Sequence, residues 1–283
     1  MRCFPLFFTP ALLLSVSVCS LPQTSRFPAK SESDLYIAEV IAVSELNKDS
    51  YVSCLRQESL PFWQELRHDR VLSDMSTYEL ISIYDSDPNV PDWNFLLLFH
   101  LTPKTRPQDY FQRVKSSGDK SCAGKGGAKT LRMEVLRPTP NSNYPRATPE
   151  DDREAIQSKV EYGVEYIAVR NTPEDLNAYR EIMSSSLGPA LGQVLIPKGL
   201  TFGLTALESI SVESSAEGMP TWNQIHINAT LPTHHLTAED RDAALRQVNP
   251  KSGGNSDIVK RLDGIRTKPR VDKVKQLYEL AVR

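Results

Sequence analysis

Tyr36–Val43 reads YIAEVIAV, an apolar run rich in Ile, Val and Tyr and broken by Glu39; it predicts a β-strand. Residues 48–69 follow with helical spacing: Tyr51 and Leu55, then Phe62, Trp63 and Leu66 around Pro61. Residues 74–84 predict a second strand, Asp85 to Asn89 a turn, and Trp93–Leu101 a third strand. A short helix over 107–114 and a strand over Leu131–Leu136 complete a βαββαβ order.

The pattern then returns. Residues 162–169 read YGVEYIAV, identical to 36–43 at five of eight positions. Ile81-Ser82 and Trp93-Asn94 recur 129 positions later as Ile210-Ser211 and Trp222-Asn223, and Pro103 and Pro232 keep that offset. An ordered set with one nearly constant offset indicates two copies of one unit, residues 34–140 and 158–283. In the second copy, Thr172-Pro173-Glu174-Asp175 and Thr237-Ala238-Glu239-Asp240 open helices: Thr caps, and the acids meet the positive helix end. Strands are predicted over 201–213, Trp222–Thr230 and Val274–Val282. The proline-bearing stretch 137–148 predicts an extended connector, and 141–157 a linker with a short helix.

Two tandem βαββαβ units, with WNFLLLFHL and WNQIHINAT as matching third strands, resemble the dimeric α+β barrel superfamily, which includes antibiotic-biosynthesis-monooxygenase-like, NIPSNAP-like and EthD-like domains. The resemblance implies an α+β fold: two ferredoxin-like units packed as an intramolecular α+β barrel, helices outside and a cavity between the sheets. Cofactor-free oxygenases, haem-binding members, isomerases and domains without known activity all occur in that group, so membership does not fix function.

The remaining sequence narrows the context. Arg2, the apolar run from Phe4 to Val18 and the small residue Ser20 predict a signal peptide over 1–20, cut before Leu21, with 21–33 as a linker. The protein is expected to be exported, periplasmic or secreted, with no stable membrane span after processing. Removal would leave Cys54 and Cys122, which could form one bridge. Cys54, in a helical pattern, reads as a buried thiol and Cys122 as the more exposed of the two. With 33 Lys and Arg against 35 Asp and Glu, no excess of cation exists to neutralise phosphates, and no nucleic-acid partner is expected. The Lys260–Lys275 stretch reads as a solvated basic surface, and Gly124–Thr130 as a flexible basic loop that lacks the spacing of a P-loop.

Candidate chemistry comes from the alternation of strand faces. In the third strands, one face carries Asn94, Leu96, Leu98 and His100, matched by Asn223, Ile225, Ile227 and Ala229. The other carries Trp93, Phe95, Leu97 and Phe99, matched by Trp222, Gln224, His226 and Asn228. If this second face looks into the barrel, one half of the cavity is apolar and the other polar, a usual form for a small-ligand site. His226 is then the candidate acid/base; the opposite facing would place it against helices. Glu39 and Glu165 recur in the first strands, as acid/base groups or as partners of a cation, with Tyr166 nearby.

The expected function is an exported protein binding a small, largely apolar molecule in the barrel cavity. The alternatives are a cofactor-independent oxygenase or isomerase-type enzyme using His226, and a non-catalytic interaction module. No cofactor and no metal site are expected. The assembly is a monomer with an internal pseudo-dimer, or a homodimer.

Overall fold

The computed structural model describes residues 34–118, 122, 124–144, 159–231, 236–251 and 253–282. The expected signal peptide, the 21–33 linker, the connector from 145 and His234-His235 lie outside the described residues. The strands are β1 (Tyr36–Ala42), β2 (Leu72–Ser86), β3 (Phe95–Leu101), β4 (Lys129–Tyr144), β5 (Glu161–Val169), β6 (Gly203–Ser215), β7 (Gln224–Thr230) and β8 (Arg266–Gln276). They close into an antiparallel barrel in the order β1-β3-β2-β8-β5-β7-β6-β4. The helices are α1 (Lys48–Cys54), α2 (Leu60–His68), α3 (Pro107–Ser116), α4 (Pro173–Ile182), α5 (Ala238–Val248) and α6 (Asn255–Asp263).

Pro61 has no N–H to bond the preceding turn, and α1 passes into α2 through a wide π turn at Leu55–Ser59. Pro189 falls between two such stretches after α4, Met183–Leu187 and Ala190–Leu195. Thr172 and Thr237 cap α4 and α5 as predicted, accepting from the backbone N–H of Asp175 at 3.2 Å and Asp240 at 3.1 Å.

Three apolar clusters result. Ile37, Ile41, Phe95, Leu97 and Phe99 pack under α1–α3 with Tyr51, Trp63, Leu66 and Tyr110. Ile167, Val169, Leu204 and Ala206 pack under α4–α6 with Tyr179, Leu245 and Leu262. Tyr36, Ala38, Val40, Leu96, Leu98, Val164, Tyr166, Ile225, Ile227 and Val274 fill the barrel. The barrel face of the third strands is thus the one carrying Leu96, Leu98 and His100. The facing considered in the sequence reading is reversed: Phe95, Gln224, His226 and Asn228 point away from the interior.

Several boundaries are corrected. β4 runs to Tyr144 and pairs with β6, so the start of the expected linker is sheet. The last strand ends at Gln276, and Tyr278–Leu280 is a single 3₁₀ turn. The basic stretch is not a solvated surface throughout: Arg270 is fully buried. Cys54 and Cys122 form a disulfide, and Cys122 is buried rather than exposed.

The barrel interior is stitched across its two halves. Arg270 of β8 stacks 3.8 Å from the Trp93 ring, donates to the Trp93 carbonyl at 2.8 Å and pairs with Asp272 at 2.7 Å. Arg132 of β4 does the same in mirror image. It lies 4.2 Å from the Trp222 ring, donates to the Trp222 carbonyl at 2.8 Å and pairs with Glu134 at 3.1 Å. Burial raises the Asp272 carboxyl, and Arg270 opposes that rise. The indoles meet at 5.6 Å, and Tyr166 contacts both rings, accepting from Trp93 Nε1 at 3.1 Å.

Candidate functional site

Because the barrel is packed, the chemistry moves to the two layers between sheet and helices. In each half the first strand sends one glutamate outward into this layer. Opposite it stands a tyrosine from the first helix of that half, Tyr51 or Tyr179. The two copies are filled differently.

In the second half, Glu165 receives Lys268 Nζ at 2.6 Å. Burial alone would raise this carboxyl, but Lys268, His226 and Arg266 hold it below the usual carboxylate range. His226 Nδ1 stands 4.0 Å from Glu165, and Nε2 lies 2.9 Å from the Tyr179 hydroxyl. Burial drives the imidazole down to about 4, against only partial support from Glu165. His226 is therefore neutral at physiological pH, with Nε2 hydrogen-bonded to Tyr179 and Nδ1 beyond hydrogen-bond distance of Glu165. It packs under α4 against Tyr179, outside the barrel interior in which the sequence reading had placed it.

In the first half, Leu97 stands where His226 stands in the second. Glu39 sits between buried Ala38 and Val40 yet remains partly exposed. Among the described residues it has no hydrogen bond and no ion pair. Burial in this apolar layer raises its carboxyl to about 7. Its charge in turn raises the Tyr51 and Tyr110 hydroxyls, which burial has already pushed far up. The Tyr51 hydroxyl is buried without a hydrogen-bond partner. Around these groups Tyr51 packs edge-on to Phe95, Trp63 to Phe99, and Phe99 against Tyr110. A carboxyl that titrates near neutrality beside phenol hydroxyls can take and return a proton and donate to a developing oxyanion.

The other expected site residues disperse. Trp93, Trp222 and Tyr166 belong to the barrel interior. Phe95 walls the Glu39 layer. Gln224 is fully buried, accepting from Thr139 at 3.3 Å. Asn228, which pairs with Gly163 and Leu204 in the sheet, joins no cluster. Sequence reasoning missed Tyr51, Tyr110, Tyr179 and Lys268. Tyr51 and Tyr179 carried a usable signal, since both follow the duplicated glutamate at nearly the same distance.

Haem-binding members of the resembling superfamily raise a direct question of fit. Among the described residues, His226 bonds the Tyr179 hydroxyl through Nε2 at 2.9 Å, and His100 has Nδ1 at 2.8 Å from Asp74 and Nε2 facing Asp34 at 3.7 Å. His68 is exposed at the end of α2. His100 is stacked on Tyr36 at 4.5 Å and His226 packs against Tyr179, and neither lines the groove of the second half, so these residues do not fit an axial ligand set. Among the described residues no group of three or more His, Cys, Asp or Glu could hold a metal ion.

His226→Leu should cost about 1–3 kcal/mol by removing the buried Tyr179–His226 hydrogen bond. It should also remove a pH slope. In the wild type the folded imidazole resists protonation down to about 4 while the unfolded one titrates near 6.5, so stability falls as pH drops through that window. Chemical denaturation of both proteins between pH 4 and 7 checks this. A variant of unchanged stability and unchanged slope contradicts the assignment.

No protein-family model and no curated protein matches the chain. Solved structures resemble it. A chlorite dismutase mutant from Candidatus Nitrospira defluvii is 13% identical, with 89% of this chain and 94% of that one covered at a TM-score of 0.44. A dye-decolorizing protein from V. cholerae is 11% identical, with 88% and 94% covered at 0.47. A putative monooxygenase from Lactobacillus acidophilus is 8% identical, with 86% and 93% covered at 0.46. These neighbours belong to the dimeric α+β barrel superfamily. The reading of the chain as a binder of a small apolar molecule inside the barrel is corrected. That interior is filled by the chain's own aromatic, arginine and carboxylate side chains, which leave no room there for a ligand.

Proposed function

We propose that this protein is a proton-transfer enzyme of the isomerase or cofactor-independent oxygenase type, with Glu39 as its acid–base group and the Tyr51 and Tyr110 hydroxyls as hydrogen-bond donors. The observation that carries the reading is the contrast between duplicates. Glu165 is neutralised by Lys268, whereas Glu39 is kept without a cation in an apolar layer at a cost to the fold. A carboxylate that destabilises its own protein is a feature retained for function more readily than for structure. The substrate class that suits it is an aromatic or other apolar molecule with an acidic C–H beside a carbonyl or phenol: Glu39 takes the proton and a tyrosine O–H meets the oxygen that gains charge. Proton exchange into a panel of aryl ketones in D2O, followed by NMR, tests this. The wild type should label the carbon next to the carbonyl, and Glu39→Gln should be at least about 100-fold slower. Equal rates in the two proteins would contradict it.

We read the two halves as tandem ferredoxin-like units of a NIPSNAP-, EthD- or monooxygenase-like kind, 34–140 and 158–283, forming an intramolecular barrel as a monomer or homodimer. The repeated βαββαβ order and the paired Arg–Trp stitches support it. We also place the protein outside the cytosol. The Cys54–Cys122 disulfide supports that, because such bonds persist in oxidising compartments. N-terminal sequencing from the native host should begin at Leu21; an accumulated chain beginning at Met1 contradicts export.

A further inference from the structure

A groove of about 770 Å3 lies at one end of the second half, away from the Glu39 layer. Its walls come from the end of β5, the middle of β6, the residues leading into β7 and the turn into β8. Asn223 fixes one wall, accepting from the Val169 N–H at 2.9 Å and donating to the Val169 carbonyl at 2.9 Å. Ile210 and Val212 line the groove while each is 47% exposed, an unusual position for large aliphatic side chains. Two arginines line it too. Arg170 is paired with Asp175 at 2.8 Å and largely exposed. Arg266 lies against the Tyr179–His226 pair, and its Nε is buried without a hydrogen-bond partner. Asp263 is the acid of the lining, and it is exposed.

We propose that this groove binds an organic oxyanion, a carboxylate or phosphate carried on a short aliphatic body, with Arg266 and Arg170 on the anion and Ile210 and Val212 on the body. Arg266 and Arg170 bring positive charge to the groove lining, and a planar guanidinium meets the oxygens of a carboxylate or phosphate in its plane. Burying the exposed aliphatic pair supplies the driving force for the remainder of the ligand. The first half offers no copy of this charge, since Ser44 stands where Arg170 stands. The site is independent of Glu39, so the two readings fail separately.

Isothermal titration of the full protein with octanoate, octyl phosphate, octanol and inorganic phosphate tests the proposal. Octanoate or octyl phosphate should bind saturably, and which of the two is tighter names the head group. Octanol and inorganic phosphate should each bind at least tenfold more weakly. Arg266→Met should weaken the tighter ligand tenfold or more. Ser211→Trp, an exposed substitution that fills the groove, should do the same and guards against an unstable Arg266 variant. Octanol binding as tightly as the anions, anion binding unchanged in Ser211→Trp, or no binding of either anion would overturn it.

Discussion

Glu39→Gln is expected to stabilise the protein, and only at neutral and alkaline pH. The folded carboxyl titrates near 7, above its ordinary value of 4.5, so the native state holds its proton more tightly than the unfolded state does. Stability is therefore lost as pH rises from 4.5 through 7, because the unfolded chain ionises first. The full penalty above that window is about 3 kcal/mol, reduced by the solvent that reaches this partly exposed group. Glutamine carries no such penalty. The difference between the two proteins should be near zero around pH 4.5 and grow to about 1–3 kcal/mol above pH 7. Urea unfolding at a series of pH values reads it directly. A pH-independent difference, or a less stable variant at pH 8, would show that Glu39 has a partner that compensates its charge.

The second large effect belongs to the barrel seam. Arg270→Met should cost about 3–5 kcal/mol, because it leaves the buried Asp272 carboxylate and the Trp93 carbonyl without their donor. Adding Asp272→Leu should restore most of the loss, since an apolar pair of similar volume removes both charges together. The cross-half placement gives this a specific form. Arg270 belongs to the second half and Trp93 to the first, so the single variant should unfold both halves in one transition at lower denaturant. A loss under 1 kcal/mol, or a double variant no better than the single one, would contradict the stitch as the element that joins the halves.

The elements were legible for plain physical reasons. Apolar periodicity marked β1, β3, β5 and β7, threonine caps marked α4 and α5, and the repeated strings marked the duplication. The facing of the third strands was not legible. Phe95, Leu97 and Phe99 suit a helix-packing face, and Leu96 and Leu98 suit a barrel interior equally well, because both sides of this sheet are buried. That ambiguity decided the site: it assigned His226 to a cavity when it packs beneath α4. The arginine stitches were illegible for a related reason. Arg132 and Arg270 look like surface charges in their strands, and only the closure of the barrel places them over tryptophans from the opposite half. The duplicated glutamates were visible, but their difference was not, since Lys268 reaches Glu165 from a strand that sequence alone placed several residues too late.

Carboxyl-carbon NMR titration of the intact protein, with Glu39→Gln and Glu165→Gln used to assign the two signals, tests the central claim most directly. Glu39 should titrate near 7 and Glu165 below the ordinary carboxylate range. A Glu39 midpoint at the ordinary 4.5 would remove the acid–base group and with it the proposed activity.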